Sequence, residues 1–223
     1  MAAIRFESES SQRLSGAEYP LGGQTKRLFD VVVGLSLLLL MLPLFIIVVA
    51  MLKGTDPGPI IYRHVRIGLR GRRFTCFKFR TMVVDAENEL KALIDHDPSA
   101  RAEWERSQKL INDPRVTRVG RFLRESSLDE LPQLINVVRG EMSLVGPRPI
   151  VPSEMSRYGD WLGSYVSARP GLTGTWQISG RSDCGYDKRV KLDAKYVSDW
   201  RFSTDLFVLV RTAGVVMERK GSY

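Results

Sequence analysis

Two adjacent carboxylates, Asp129 and Glu130, stand in the segment SSLDELPQL at residues 126–134. Arg124 precedes them, and Arg148 follows in Gly146-Pro147-Arg148-Pro149. Neighbouring acids project about 100° apart on a helix, so they do not share a face as an i, i+4 pair does. At a helix start they can still converge on one ligand, because free N–H groups there attract phosphate oxygens. Arginine is the side chain best shaped to hold a phosphate with two parallel hydrogen bonds, so the set suits a phosphorylated ligand. A second use of the same residues stays open. Ser127 and Glu130 fit the Ser-x-x-Glu capping box and Pro132 suits a first helical turn, which would make the segment purely structural.

Other chemistries find less support. The chain has no GxGxxG and no Walker A sequence, so neither a dinucleotide fold nor a P-loop is indicated. Asp95-His96-Asp97 imitates an acidic pair that holds a metal on a diphosphate. It sits in a polar helical stretch just before Pro98, with no strand leading into it, and reads as a helix end. Only two histidines, His64 and His96, are present, and neither has a metal-ligand spacing. The two cysteines, Cys76 and Cys184, form no CxxC pair, which excludes a zinc ribbon and a disulfide scaffold. Phe74, Phe77 and Phe79 lie among basic residues as in an RNA-binding strand. Arg73 takes the place of that motif's glycine, however, so Phe77 and Phe79 read as one core-facing strand face.

The elements that must position these residues begin with an apolar run. Val31 to Leu52 holds 22 consecutive uncharged residues, about 33 Å at helical rise, against about 30 Å of hydrocarbon. Lys26 and Arg27 precede the run. Lys53, Arg63, Arg66, Arg70, Arg72, Arg73, Lys78 and Arg80 follow it, with no acid between Pro57 and Val84. The positive-inside tendency draws both flanks to the cytoplasm, and Pro43 must kink the helix. A re-entrant helix-break-helix satisfies both flanks, whereas a kinked single span satisfies one; the residues leave both open. Either way the segment belongs in membrane.

The remainder reads as one domain. Residues 1–24 are a polar tail, 25–53 the membrane hairpin and 54–223 the catalytic domain with interfacial amphipathic helices. PIIYRHVRI and RFTCFKFRTM form two strands joined through Gly68 and Gly71. Helical pattern follows over 84–110, 120–124, 127–138, 153–168, 186–200 and 203–218, with an extended LTGTWQIS before Gly180-Arg181. The fold class is thus mostly α with a small β-hairpin: a re-entrant hairpin plus a compact cytoplasmic α/β domain on the membrane surface. The net charge of +8 and pI of about 9.7 fit anionic lipid headgroups and nucleotide phosphates, with no nucleic acid implied. Trp161, Tyr165, Trp176 and Trp200 are candidates for the interfacial belt or for core.

With these residues in place, the chain resembles the bacterial sugar transferases, the monotopic polyprenyl-phosphate phosphoglycosyltransferases of the exopolysaccharide-initiating type. The apolar hairpin, KFRTM (78–82), SLDELPQL (127–134), SLVGPRP (143–149), ARPGLTG (168–174) and SGR (179–181) carry the resemblance over roughly residues 25–223. It implies transfer of a sugar-1-phosphate, glucose or galactose in this minimal form, from a UDP-sugar to undecaprenyl phosphate with release of UMP. In such enzymes the first acid, here Asp129, is the nucleophile and carries a phosphosugar intermediate, and Glu130 helps hold Mg²⁺ with it. Arg148 and Arg181 match the family's phosphate- and nucleotide-binding arginines. Lys78, Arg124 and Asp193 match positions near the centre, and Gln177 is a further substrate-binding candidate. The implied location is the bacterial inner membrane, with the catalytic domain in the cytoplasm; a homo-oligomer is compatible with the sequence. One departure is Leu42-Pro43 where many relatives have Ser-Pro, which removes a hydroxyl that could bond a freed carbonyl. A non-catalytic membrane-anchored scaffold of a polysaccharide assembly complex is the alternative.

Overall fold

A chain whose first long element is apolar on most of its surface must either bury that surface or leave it bare, and this one does some of each. The computed structural model describes residues 20–55, 57–107, 110–179 and 185–217. Helix α1 (Gly23–Leu40) and helix α2 (Leu42–Thr55) meet at Met41 with a bend of 57°. Pro43 lies in the first turn of α2, where its missing N–H costs least, but it leaves the Leu39 carbonyl without that donor. The nearby Ser36 hydroxyl donates to the Val32 carbonyl at 2.9 Å and so does not serve the break. No single described helix is long and apolar enough to cross a membrane.

The N-terminal half of α1 is docked on the domain. Lys26, Asp30 and Gly34, four residues apart, form its buried stripe. A Cβ on Gly34 would come within 3.3 Å of Val137, so the helix backbone lies close against helix α6 (Gln133–Arg139). Lys26 Nζ donates to Asp205 Oδ2 at 2.5 Å. Asp205 also accepts from the Tyr196 hydroxyl at 2.6 Å and from Trp200 Nε1. Asp30 accepts the Leu144 N–H at 3.0 Å. The Arg27 guanidinium donates to the Val137 and Val138 carbonyls at 2.6 and 2.7 Å, at the C-terminal end of α6. Lys26 and Arg27, read from the sequence as flanking charges that set topology, are therefore spent inside the fold. Leu21 also packs against the core; residues 1–19, most of the expected tail, lie outside the described residues.

The β-hairpin forms where expected, as β1 (Ile61–Ile67) and β2 (Arg73–Phe79), antiparallel, with Tyr62 opposite Lys78, His64 opposite Cys76 and Arg66 opposite Phe74. Arg70 and Gly71 both take positive φ in its turn. Phe79 is core as expected, and Phe77 lies beneath the Arg139 guanidinium. Asn136 closes the outer edge of β2, accepting the Phe77 N–H and donating to the Thr75 carbonyl.

The single helical stretch expected over 84–110 is two helices, α3 (Ala86–His96) and α4 (Pro98–Ser107). Pro98 cannot continue α3, and Asp97 Oδ1 instead accepts the N–H groups of Ser99 and Ala100. The Asp95-His96-Asp97 motif is accordingly a helix end. Helix α5 (Arg118–Glu125) follows, capped by Thr117. The helix expected over 153–168 is a 3₁₀ stretch, Pro152–Trp161, kinked at Gly159, followed by α7 (Leu162–Val166). The extended LTGTWQIS splits into strand β4 (Gly171–Thr173) and helix α8 (Thr175–Ile178). β4 pairs in parallel with β3 (Ser143–Val145). The crossing is so close that a Cβ on Gly171 would sit 2.1 Å from the Gly146 nitrogen. Helices α9 (Tyr186–Ser198) and α10 (Phe202–Met217) close the chain.

Candidate active site

The dyad is built on a turn, not on the helix start that the capping reading required. Leu128–Glu130 is a single 3₁₀ turn entered through Ser127 at φ 57°, ψ 16°, and the Ser127 side chain caps nothing. A non-glycine residue held left-handed costs about 1–2 kcal/mol. The turn is kept in place by its flanks: Leu128 and Leu131 pack with Phe79 and Leu123 against Val48 and Leu52 of α2. Each fully buried aliphatic there contributes about 1.5–3 kcal/mol. The apolar hairpin is therefore the floor under the dyad. We expect Ser127→Gly to leave thermal stability equal or higher, and Ser127→Val to lower it by about 1–2 kcal/mol in denaturant unfolding. Equal tolerance of valine would show that the turn holds no strain.

Asp129 is 9% exposed. Lys78, reaching across from β2, donates to Glu130 Oε1 at 2.6 Å and lies 3.5 Å from Asp129 Oδ2. Burial raises the Asp129 carboxyl above the ordinary range; Lys78 pulls it back, and Glu130 adds to the rise. For Glu130 burial acts the same way, but the Lys78 ammonium outweighs it and holds the group below the ordinary range. The two neighbours are thereby separated in charge preference. Arg124 is oriented by Nε donating to the Thr81 hydroxyl at 2.9 Å, and its charge acts on Asp129.

Other expected site residues divide. Arg148 reaches the same centre, its charge acting on Glu130 and Lys78, and its guanidinium lies 5.1 Å from the Trp176 ring centre. Asp193 is 2% exposed; its Oδ2 accepts the Tyr158 hydroxyl at 2.9 Å, and its carboxylate accepts the Arg148 backbone N–H. Burial pushes that carboxyl up to about 7. Gln177 follows Trp176 on α8, with its Oε1 buried and without a hydrogen-bond partner. Pro43 sits at the bend. Arg181 lies outside the described residues.

Sequence reasoning passed over Arg66, His64, Arg189 and Glu154. Arg66 shares the sheet face of Lys78; its Nη1 donates to the Pro149 carbonyl at 3.2 Å, and His64 Nδ1 lies 3.2 Å from its Nη2. Period-two spacing in the hairpin was the available signal, but it needs the strand register to reveal which basic residues join Lys78. Of the four belt candidates, Tyr165 and Trp176 are buried and Trp200 serves Asp205; Trp161 is half exposed.

Two carboxylates beside clustered cations suit a phosphate ester and, with its oxygens, one divalent ion. The model of the bacterial sugar transferase family matches residues 22–219 of the chain. The undecaprenyl-phosphate galactose phosphotransferase of Salmonella typhimurium is 52% identical over 199 residues, covering 89% of this chain and 41% of that protein. The exopolysaccharide production protein ExoY of Rhizobium meliloti is 48% identical over 209 residues, 94% of this chain and 92% of its own length. A UDP-glucose:undecaprenyl-phosphate glucose-1-phosphate transferase of Klebsiella pneumoniae is 36% identical over 206 residues, 89% of this chain and 41% of that protein. The chain thus spans less than half of the Salmonella and Klebsiella relatives and nearly all of ExoY.

Proposed function

The chain belongs to the bacterial sugar transferase family, and from that premise we propose that it moves a sugar-1-phosphate from a UDP-sugar to undecaprenyl phosphate. UMP is released, a phosphosugar forms on Asp129, and the product starts exopolysaccharide or another glycoconjugate. Glucose and galactose are the sugars named for its relatives. The observation that carries the reading is Asp129 itself, a buried carboxylate on a strained turn facing Lys78 and Arg124.

In the first step an Asp129 oxygen attacks the donor's β-phosphorus. The bond to the bridging oxygen breaks, and the electron pair leaves with UMP. Lys78 and Arg124 offset charge on the attacked phosphoryl group, and the floor of Leu128 and Leu131 keeps the carboxylate aimed. In the second step a lipid phosphate oxygen attacks the same phosphorus and frees Asp129. Glu130 and Asp129 would hold Mg²⁺ on the diphosphate, where the ion neutralises charge and polarises the phosphoryl oxygens. A chelator should stop turnover and added Mg²⁺ restore it; full activity in excess chelator would remove the ion from the reaction. The assay for the whole reading is UMP release from a UDP-sugar panel with undecaprenyl phosphate. Silence across a panel containing UDP-glucose and UDP-galactose would overturn it.

The bent hairpin supports a re-entrant placement at the cytoplasmic face of the inner membrane. Leu28, Val32, Leu35, Leu39, Ile46 and Ile47 are bare on α1 and α2, and α10 adds exposed Leu206, Phe207 and Val210. Single cysteines at Gln24 and Thr55, in a background lacking Cys76 and Cys184, should both resist an impermeant reagent outside intact cells. Labelling at Gln24 alone would establish a span.

A further inference from the structure

Beyond the dyad, guanidinium groups and rings alternate in one column. Arg157 lies 3.7 Å from the Tyr186 ring centre, Arg189 4.2 Å from the same ring and 5.6 Å from Trp176, and Arg148 5.1 Å from Trp176. Stacking fixes the plane of a guanidinium while leaving its edge N–H groups free to donate. Glu154 takes one of them, accepting from Arg189 Nη2 at 3.1 Å. Among the described residues, the donors Arg189 Nε and Trp176 Nε1 are buried with no hydrogen-bond partner, and the Trp176 residue is only 8% exposed. Unmet buried donors on a cation are costly, so their concentration at one place points to an anion that supplies the missing acceptors.

The column's position limits which anion. Arg148 joins it to the dyad, because its charge acts on both Glu130 and Lys78. The column rests on the core cluster of Ile67, Ile150, Tyr158, Tyr165, Val166 and Val190, which includes no residue of α1 or α2. The dyad, by contrast, rests on Val48 and Leu52 of the apolar hairpin. A phosphate of a nucleotide or of a lipid would satisfy the same donors, but the separation from the hairpin favours the soluble one.

Resting on the donor reading above, in which Arg148 already matches a phosphate-binding arginine of the family, we infer that Arg189 joins Arg148 in clamping the leaving phosphate of the donor, the one that departs within UMP. Lys78 and Arg124 attend the phosphate that Asp129 attacks. When the bond between the β-phosphorus and the bridging oxygen breaks, the oxygen keeps the electron pair, and the two guanidiniums stabilise it without a proton transfer.

The test uses the full chain in nanodiscs, with UMP and undecaprenyl phosphate as separate probes. Arg189→Gln should weaken UMP binding at least about tenfold and slow the formation of UMP from UDP-sugar. Discharge of the loaded enzyme by undecaprenyl phosphate should keep its wild-type rate, and Arg189→Lys should recover part of the UMP affinity. Lys78→Ala should slow both half-reactions. Wild-type UMP affinity in Arg189→Gln, or a loss confined to the lipid step, overturns the clamp. If Arg189→Gln does not fold, Arg189→Lys decides: unchanged UMP affinity overturns the clamp, and a partial loss upholds it. A wild-type protein that neither binds nor releases UMP would instead sink the donor reading, a result distinct from failure of the clamp.

Discussion

Asp129→Asn should abolish UMP release from UDP-sugar and leave the protein folded. The amide keeps the shape of the carboxylate and much of its hydrogen bonding but is too poor a nucleophile to form the phosphosugar. We expect a rate loss of at least about a thousandfold, roughly 4 kcal/mol of barrier. With UDP-sugar alone, the wild-type protein should release one equivalent of UMP and gain the mass of one sugar phosphate, and undecaprenyl phosphate should discharge the adduct. An acylphosphate is labile, so brief reactions and an acid quench are needed. The raised Asp129 carboxyl adds a pH signature. Only the ionised form attacks, so the first half-reaction should fail as pH drops through a value above the ordinary carboxylate range. Near wild-type turnover by Asp129→Asn would mean that lipid phosphate attacks the donor directly and the dyad serves another purpose.

The second large effect should come from the docking of α1. The side chains of Lys26 and Asp205 are only 6% and 1% exposed. Removing one partner leaves a buried charge without its counter-ion, at a cost of about 3–5 kcal/mol. Lys26→Met and Asp205→Asn should each unfold at markedly lower denaturant, whereas the double variant should recover much of the loss because neither member of the pair is left buried as an unpaired charge. A single-variant cost below about 1 kcal/mol, the range of an exposed pair, would show that water reaches the site.

The parts of the molecule that local pattern governs could be read in advance. Adjacent acids between phosphate-suited arginines marked Asp129 and Glu130. An uncharged run broken by Pro43 marked the bent pair, and glycines at 68 and 71 marked the hairpin turn. What escaped depends on contacts between distant segments. Nothing near Lys26 announces Asp205, so its charge was read as a topological signal. The capping box at Ser127 fits the local letters, but the packing of Leu128 and Leu131 on α2 forces a left-handed turn instead. Arg66 and Arg189 are two among many basic residues until strand register and ring stacking single them out.

The Lys26–Asp205 contact joins positions 179 apart in the chain, and this separation fixes an order of events during synthesis. At about 5–20 residues per second, Lys26 waits roughly 10–40 seconds for its counter-ion to be made. The partners of Arg27, Gly34 and Asp30 at residues 137–144 are made earlier in that interval, and only the counter-ion of Lys26 comes at its end. On the re-entrant placement proposed above, nascent α1 would be free to enter lipid before α10 is made, and the late arrival of α10 would seal an arrangement that the bilayer had already oriented.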